Sequence, residues 1–264
     1  MSGKCAFVAA CLLVAVVLLT PTRVRGDLYL DDGRTYIIDY TIADDVIVTG
    51  TTDLIVNAGG SIDGVLLQDT SRLIVNTGGS VGGIGIDESF PEGPQVLING
   101  GSIGALSYLL EPFGPGPGHN FGRATIRGGV IGAVEFHPHT YDAQLDIYGG
   151  QFLNPDFNVN EGGFIVVHGT SFSGEVYVFN PFGGGLEGPF EFDLPPGTNQ
   201  RFFGGFFDQA LVRGHLASGE FFEGEFFTHE GTLVLQIVPA PGALLLGGLG
   251  LSFSGWLLRR HRRR

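Results

Sequence analysis

Three kinds of residue in this chain have types and spacings that could do chemistry. The first is the paired carboxylate, present as Asp31-Asp32, Asp44-Asp45 and Asp142 with Asp146. Two carboxyl groups held about 5–10 Å apart across a groove can cleave a glycosidic bond, one as acid and the other as base or nucleophile. The second is His137-Pro138-His139 beside Glu135, which has metal-ligand types but no second ligand pair nearby, so a solvated loop is expected there. The third is the polar or glycine-rich turn. Gly83-Ile84-Gly85 lacks the strand-to-helix context of a phosphate cradle, and Asp31-Asp32-Gly33 offers oxygen ligands for weak calcium binding without an EF-hand spacing. Beyond that weak calcium binding, the expectation is no cofactor, no defined metal site and no catalytic residue.

The elements that would have to position these groups follow from composition. The 264 residues include 45 Gly and 22 Phe, with 43% hydrophobic residues and a mean hydropathy of +0.24. That is too apolar for a disordered chain, which needs low hydrophobicity and high charge. The formal net charge of −13 is unevenly spread. All 27 acidic residues lie between Asp27 and Glu230 against six arginines and no lysine, so that body carries −21. Such a surface repels phosphate backbones, and nucleic acid is excluded as a partner.

Within the body one phrase recurs: an alternating apolar strand, a polar residue, Gly-Gly or a near equivalent, then another apolar residue. It reads Leu54-Ile55-Val56-Asn57-Ala58-Gly59-Gly60 and Leu73-Ile74-Val75-Asn76-Thr77-Gly78-Gly79. One residue shorter, it returns as Val96-Leu97-Ile98-Asn99-Gly100-Gly101, Ala124-Thr125-Ile126-Arg127-Gly128-Gly129 and Leu145-Asp146-Ile147-Tyr148-Gly149-Gly150, then as Ile165-Val166-Val167-His168-Gly169. Aligning Val56, Val75, Ile98, Ile126, Ile147 and Val167 gives steps of 19, 23, 28, 21 and 20 residues. A weaker copy, Leu211-Val212-Arg213-Gly214, follows at about two such steps. A fixed period near 20, β-branched alternation and turn glycines predict an all-β fold, a parallel β-helix (solenoid) of roughly 20-residue coils. Asn57, Asn76 and Asn99 then occupy equivalent turn positions and are expected to form an internal ladder. The Pro/Gly run from Glu111 to Asn120 accounts for the long step of 28.

Parallel β-helices include carbohydrate-active enzymes. Asp44-Asp45 and His168-Gly169 are similar to two of three elements of the polygalacturonase-like family, but the third, Arg-x-Lys, is absent because the body has no lysine. A non-enzymatic role is therefore the expectation, with a β-helix carbohydrate-active enzyme as the alternative. Thirteen of the 22 Phe fall between Phe172 and Phe227, with adjacent pairs at Phe202-Phe203, Phe206-Phe207, Phe221-Phe222 and Phe226-Phe227. Neighbouring strand residues face opposite ways, so each pair puts one ring in the core and one outside, in a β region or cap that closes the coil end.

Both ends read as addresses. Residues 1–26 have the charged, apolar and small-residue order of a secretory signal peptide, with Asp27 as the mature start. Pro239-Ala240-Pro241, an uncharged stretch from Ala243 to Leu258, and Arg259, Arg260, Arg262, Arg263 and Arg264 close the chain. That order resembles the PEP-CTERM sorting domain of bacterial exported proteins, in which the motif is usually Pro-Glu-Pro. The resemblance implies recognition by an exosortase, a C-terminal hydrophobic helix in the inner membrane before processing, and association with the cell envelope or surface and exopolysaccharide matrix. The expected organisation is a signal peptide (1–26), a β-solenoid (27–180), a Phe/Gly-rich C-terminal region (181–237) and the sorting segment (238–264).

Overall fold

A computed structural model of the chain describes residues 27–87, 93–108, 122–136, 143–154, 156–159, 162–180, 185–195, 198–203, 209–228 and 231–239. Every regular element among them is a β-strand. The first coil holds β1 (Leu28–Leu30), β2 (Thr35–Ile38) and the start of β3 (Thr41–Val48). Next come β4 (Asp53–Val56) with β5 (Ser61–Leu67), β6 (Arg72–Val75) with β7 (Ser80–Ile86), and β8 (Gln95–Ile98) with β9 (Ser102–Tyr108). Then follow β10 (Arg123–Ile126) with β11 (Val130–Phe136), and β12 (Gln144–Ile147) with β13 (Gln151–Phe152) and β14 (Asp156–Val159). The last strands are β15 (Phe164–Asn180), β16 (Gly185–Leu194), β17 (Asn199–Phe203), β18 (Gln209–Leu216), β19 (Phe221–Thr228) and β20 (Thr232–Ile237).

Two parallel ladders run the length of the molecule. The short strands β2, β4, β6, β8, β10 and β12 pair in sequence and continue into the first residues of β15 and then β20. Ile38, Val56, Val75, Ile98, Ile126, Ile147, Val167 and Leu235 stand in one column, so the coil is the repeat read from the sequence, with the same steps. The longer strands β3, β5, β7, β9 and β11 form the second ladder, which passes through β13 and β14 to β19.

The seven-residue strands are bent. Val81 and Ile84 are both buried, as are Ile62 and Val65, and Ile103 and Leu106. A spacing of three breaks the two-residue alternation of a straight strand, so each long strand turns between these residues and the coil has three walls. Gly82, Gly104 and Gly132 stack at this bend. A Cβ on Gly104 or Gly132 would lie far inside van der Waals contact with the carbonyl oxygen of the glycine one coil before it, and a Cβ on Gly82 would clash with the Asp63 carbonyl. Inside, the columns are aliphatic, for example Leu54, Leu73 and Val96, until Phe157 and Phe226 take over near the C-terminus, stacked with centroids 4.7 Å apart.

At that end the parallel pattern changes. Beyond Gly169, β15 leaves the first ladder and pairs antiparallel with β18 on one side and β16 on the other, while β19 joins β18 back to the second ladder. The Val212 segment is thus an antiparallel strand opposite Gly174, not a further coil. The true successor to Val167 in the column is Leu235. Two Phe pairs follow the alternation: Phe222 and Phe226 are buried, whereas Phe221 is 63% and Phe227 37% exposed.

The expected membrane helix is corrected. Among the described residues no helix is long and apolar enough to cross a membrane; the stretch from Ala243 to Leu258 and the five terminal arginines lie outside them. A membrane anchor, an inner-membrane stage and an exosortase or exopolysaccharide partnership built on that anchor are withdrawn. The Glu111–Asn120 loop, His137-Pro138-His139 and Asp142 also lie outside the described residues.

The glycine column at the bend predicts a position-specific cost. Gly104→Ala forces the backbone apart and should destabilise by about 1–3 kcal/mol, as overpacking does, whereas Gly83→Ala, whose Cβ meets nothing within 4 Å, should leave the melting temperature within error. Equal thermal shifts for the two variants would refute the stacked column.

Candidate functional site

The repeat turns are built from the residues expected there. In the first two copies Gly59 and Gly78 adopt φ of +86° and +83°, and in the shorter copies the second glycine does so, with Gly101 at +87°, Gly129 at +102° and Gly150 at +113°. A left-handed backbone is cheap for glycine alone, so loss of one residue from the turn moves the positive angle from the first glycine to the second. Gly60, Gly79, Gly100 and Gly149 sit close against the preceding coil, whereas a Cβ on Gly128 would make only an ordinary contact with the Asn99 carbonyl. The asparagines form the ladder: the Asn76 Nδ2 donates to Asn57 Oδ1 at 2.8 Å, and the Asn99 Nδ2 donates to Asn76 Oδ1 at 3.1 Å. Asn76, in the middle, both donates and accepts, which is the arrangement that satisfies a stacked amide column.

Beyond Asn99 the same column holds Arg127, Tyr148 and His168. The Tyr148 and His168 rings stack with centroids 3.8 Å apart and planes 5° from parallel. His168 is buried, with Nε2 3.0 Å from Asp146 Oδ1, while Gln144 Nε2 donates to Asp146 Oδ2 at 2.7 Å. Burial, with the Asp146 charge beside it, raises the Tyr148 phenol pKa. Burial raises that of Tyr108 much further, again with help from Asp146; its hydroxyl donates to the Gln144 carbonyl at 2.8 Å. Both effects favour the neutral phenol.

The glycosidase-like constellation does not assemble. Asp45 lies on the second ladder beside the first coils, and His168 lies on the first ladder six coil steps after Asp39. At ~4.8 Å per strand that is a separation of roughly 29 Å along the axis. Asp32 is engaged locally: the Arg34 amide and the Tyr36 hydroxyl donate to it at 3.0 and 2.9 Å. Desolvation raises its pKa, but these bonds and the Arg34 charge outweigh that and hold the carboxyl below its usual range. Among the described residues there is no group of three or more His, Cys, Asp or Glu placed to hold a metal ion.

Sequence reasoning missed one feature, an open trough of about 650 Å³ on the outer face of the second ladder. Its floor is a column of small outward residues, Gly64, Gly83 and Ala105, in register after Asp45. Ile47 and Leu66 flank it, and Asp27, Asp45 and Asp63 stand at its N-terminal end. The surface is apolar with an acidic end, which suits contact with an apolar or cationic group. The signal was present as Gly64, Gly83 and Ala105, each immediately before a buried residue of the second ladder (Val65, Ile84 and Leu106), but small residues are also what turns contain.

Two predictions follow from this geometry. Asn76 makes two ladder bonds and Asn99 one, so Asn76→Ala should cost about 2 kcal/mol and Asn99→Ala about 1, read by chemical denaturation; equal costs would remove the ladder as their cause. Tyr108 has a folded pKa above its unfolded value of 10.0, so its neutral form stabilises the fold fully below that value and the contribution disappears as pH rises through the folded pKa. Melting temperature should therefore fall above about pH 10, with a shallower fall in Tyr108→Phe. Compared with known proteins, the chain matches no family model, no curated protein and no solved structure, so its assignment rests on fold alone, an all-β parallel β-solenoid.

Proposed function

We propose that this chain is an exported, non-enzymatic bacterial protein with a structural or adhesive role, whose solenoid walls serve as contact surface. The observation that carries this reading is the disposition of its polar groups. Residues of catalytic type are bound to neighbours in adjacent coils, as in Asp146 with His168 and Asp53 with Arg72, and the two elements that resemble an active site lie far apart along the axis. Chemistry requires convergence within a few ångströms, whereas a ladder distributes its side chains along a line.

Export is supported by the signal-peptide order of residues 1–26 and by the absence of cysteine after Cys11. The PEP-CTERM-like order of residues 238–264 supports a bacterial sorting address. In this reading the strands β16 to β20, with their Phe-rich interior, act as the cap that closes the coil end.

Deleting residues 1–26 should abolish appearance of the chain outside the cytoplasm in a fractionation assay; unchanged export would sink the address. The exported chain, incubated with a panel of neutral and acidic polysaccharides, should release no reducing ends. Turnover that Asp45→Asn or Asp146→Asn abolishes would establish the enzyme alternative instead.

A further inference from the structure

Among the described residues the first coil presents bare strand edges. Among the described strands β1 is bonded only to β3, and β2 only to β4. The Arg34 and Ile38 carbonyls accept the Asp53 and Asn57 amides. Backbone groups alternate sides along a strand, so the amides and carbonyls of Thr35, Ile37 and Asp39 point toward the open side. Leu28, Tyr29, Ile37 and Tyr40 are exposed on the same coil, four of the nine large exposed hydrophobics among the described residues. Nearly half of that sticky surface is thus concentrated at one end.

An open, apolar edge templates pairing with another strand, and chains usually guard it with charge or proline. This chain does so elsewhere: edge strand β16 carries Pro189 with Glu187, Glu191 and Asp193. β1 and β2 contain neither proline nor any charged residue.

We propose that the first coil is a self-association surface that binds the first coil of a second copy of this chain, β2 against β2 across a two-fold axis. The opposite end offers no parallel coil to continue, because β20 is followed by the antiparallel β17; a head-to-tail stack of ladders has no matching face. A two-fold antiparallel pair is self-complementary. With Ile37 opposite its own copy, the free backbone groups of Ile37 exchange hydrogen bonds, and those of Thr35 and Asp39 do the same with each other. Tyr36 and Ile38, which face the lumen side, then meet one another, and the exposed Ile37 side chains cover each other. The same register sets the Thr35 hydroxyl against the Asp39 carboxylate and the Arg34 guanidinium, 80% exposed, near the Tyr40 ring, where a cation is attracted to the aromatic face. Each body carries a net −21, so two copies repel one another and added salt strengthens the pair by screening.

Sedimentation velocity of the purified chain across a concentration series, at low and high salt, tests this. The expected result is a monomer–dimer equilibrium that tightens with salt. Ile37→Lys and Ile37→Pro should each weaken it about tenfold or more, the second because it removes the exchanged amide from an edge position where proline is tolerated. Ile74→Lys, in the same outward column but at mid-solenoid, should leave the equilibrium unchanged, and circular dichroism should show the strand signal retained in all three. A chain that stays monomeric at every concentration in high salt would overturn the proposal. So would a dimer indifferent to both Ile37 variants, as association through the C-terminal tail or the Phe-rich sheet would give.

Discussion

Everything in this structure depends on one steric condition: each residue lies about 4.8 Å from the residue at the same position in the next coil. A side chain is tolerated only if it can stand beside its own equivalent. Aliphatic residues meet that condition by dispersion contact, and asparagine meets it because its amide donates on one side and accepts on the other. Glycine meets it at the bend, where successive backbones come too close for any Cβ. Like charges do not, and the outward column of the first ladder accordingly runs Thr35, Asp53, Arg72, Gln95, Arg123, Gln144. The Arg72 to Asp53 bonds there, at 2.8 and 3.1 Å, join partly exposed groups and contribute under about 1 kcal/mol. Their larger service is to avoid repulsion.

The same condition explains the change of texture at the C-terminus. A long strand that serves both a parallel ladder and an antiparallel sheet must diverge from the coil, and the space opened by that divergence is wider than Val or Leu can fill. Phe157, Phe222 and Phe226 fill it, with Phe152 packed edge-on against Phe157 and Phe222. On the other side Phe192 of β16 meets Phe202 of β17 at 5.3 Å. The pairing of an inward with an outward Phe is then a consequence of strand alternation. It leaves Phe221 against His215 at the surface, with ring centroids 5.7 Å apart.

Those regularities divide what the sequence discloses from what it hides. Val56, Val75, Ile98, Ile126, Ile147 and Val167 announce the column because the turn that follows each is chemically distinctive, and a distinctive turn marks register. The second ladder has no such punctuation: Ser61–Leu67 and Ser80–Ile86 bend at inconspicuous Asp-Gly and Gly-Gly steps, so neither the third wall nor the trough could be read. Val212 misleads for a related reason, since a strand has the same two-residue period whether its neighbour runs parallel or antiparallel. Only Val167 pairing with Leu235, across the whole intervening sheet, tells the two apart, and no local pattern encodes a partner that distant. The ladder of Asn57, Asn76 and Asn99 was legible because identical residues at identical turn positions have one economical arrangement. Its continuation into Tyr148 and His168 was not, because two unlike rings reveal their stacking only once the coils are superimposed.

A ladder so built also constrains what its surface can do. Side chains that recur along an axis give a face whose properties change slowly from coil to coil, and the trough over Gly64, Gly83 and Ala105 is such a face: shallow, apolar and acidic only where it begins. Convergent chemistry would need a loop or an inserted strand to bring groups from different coils to one point. Asp146 and His168 illustrate the limit. They approach to 3.0 Å because they are neighbours in the stack, yet Gln144 holds the other oxygen of that carboxylate and the Tyr148 ring lies flat against the imidazole, so the pair is enclosed by the repeat that created it. The repeat brings polar groups together only along its own axis, and at Asp146 and His168 the rule that makes them neighbours also leaves them little exposed.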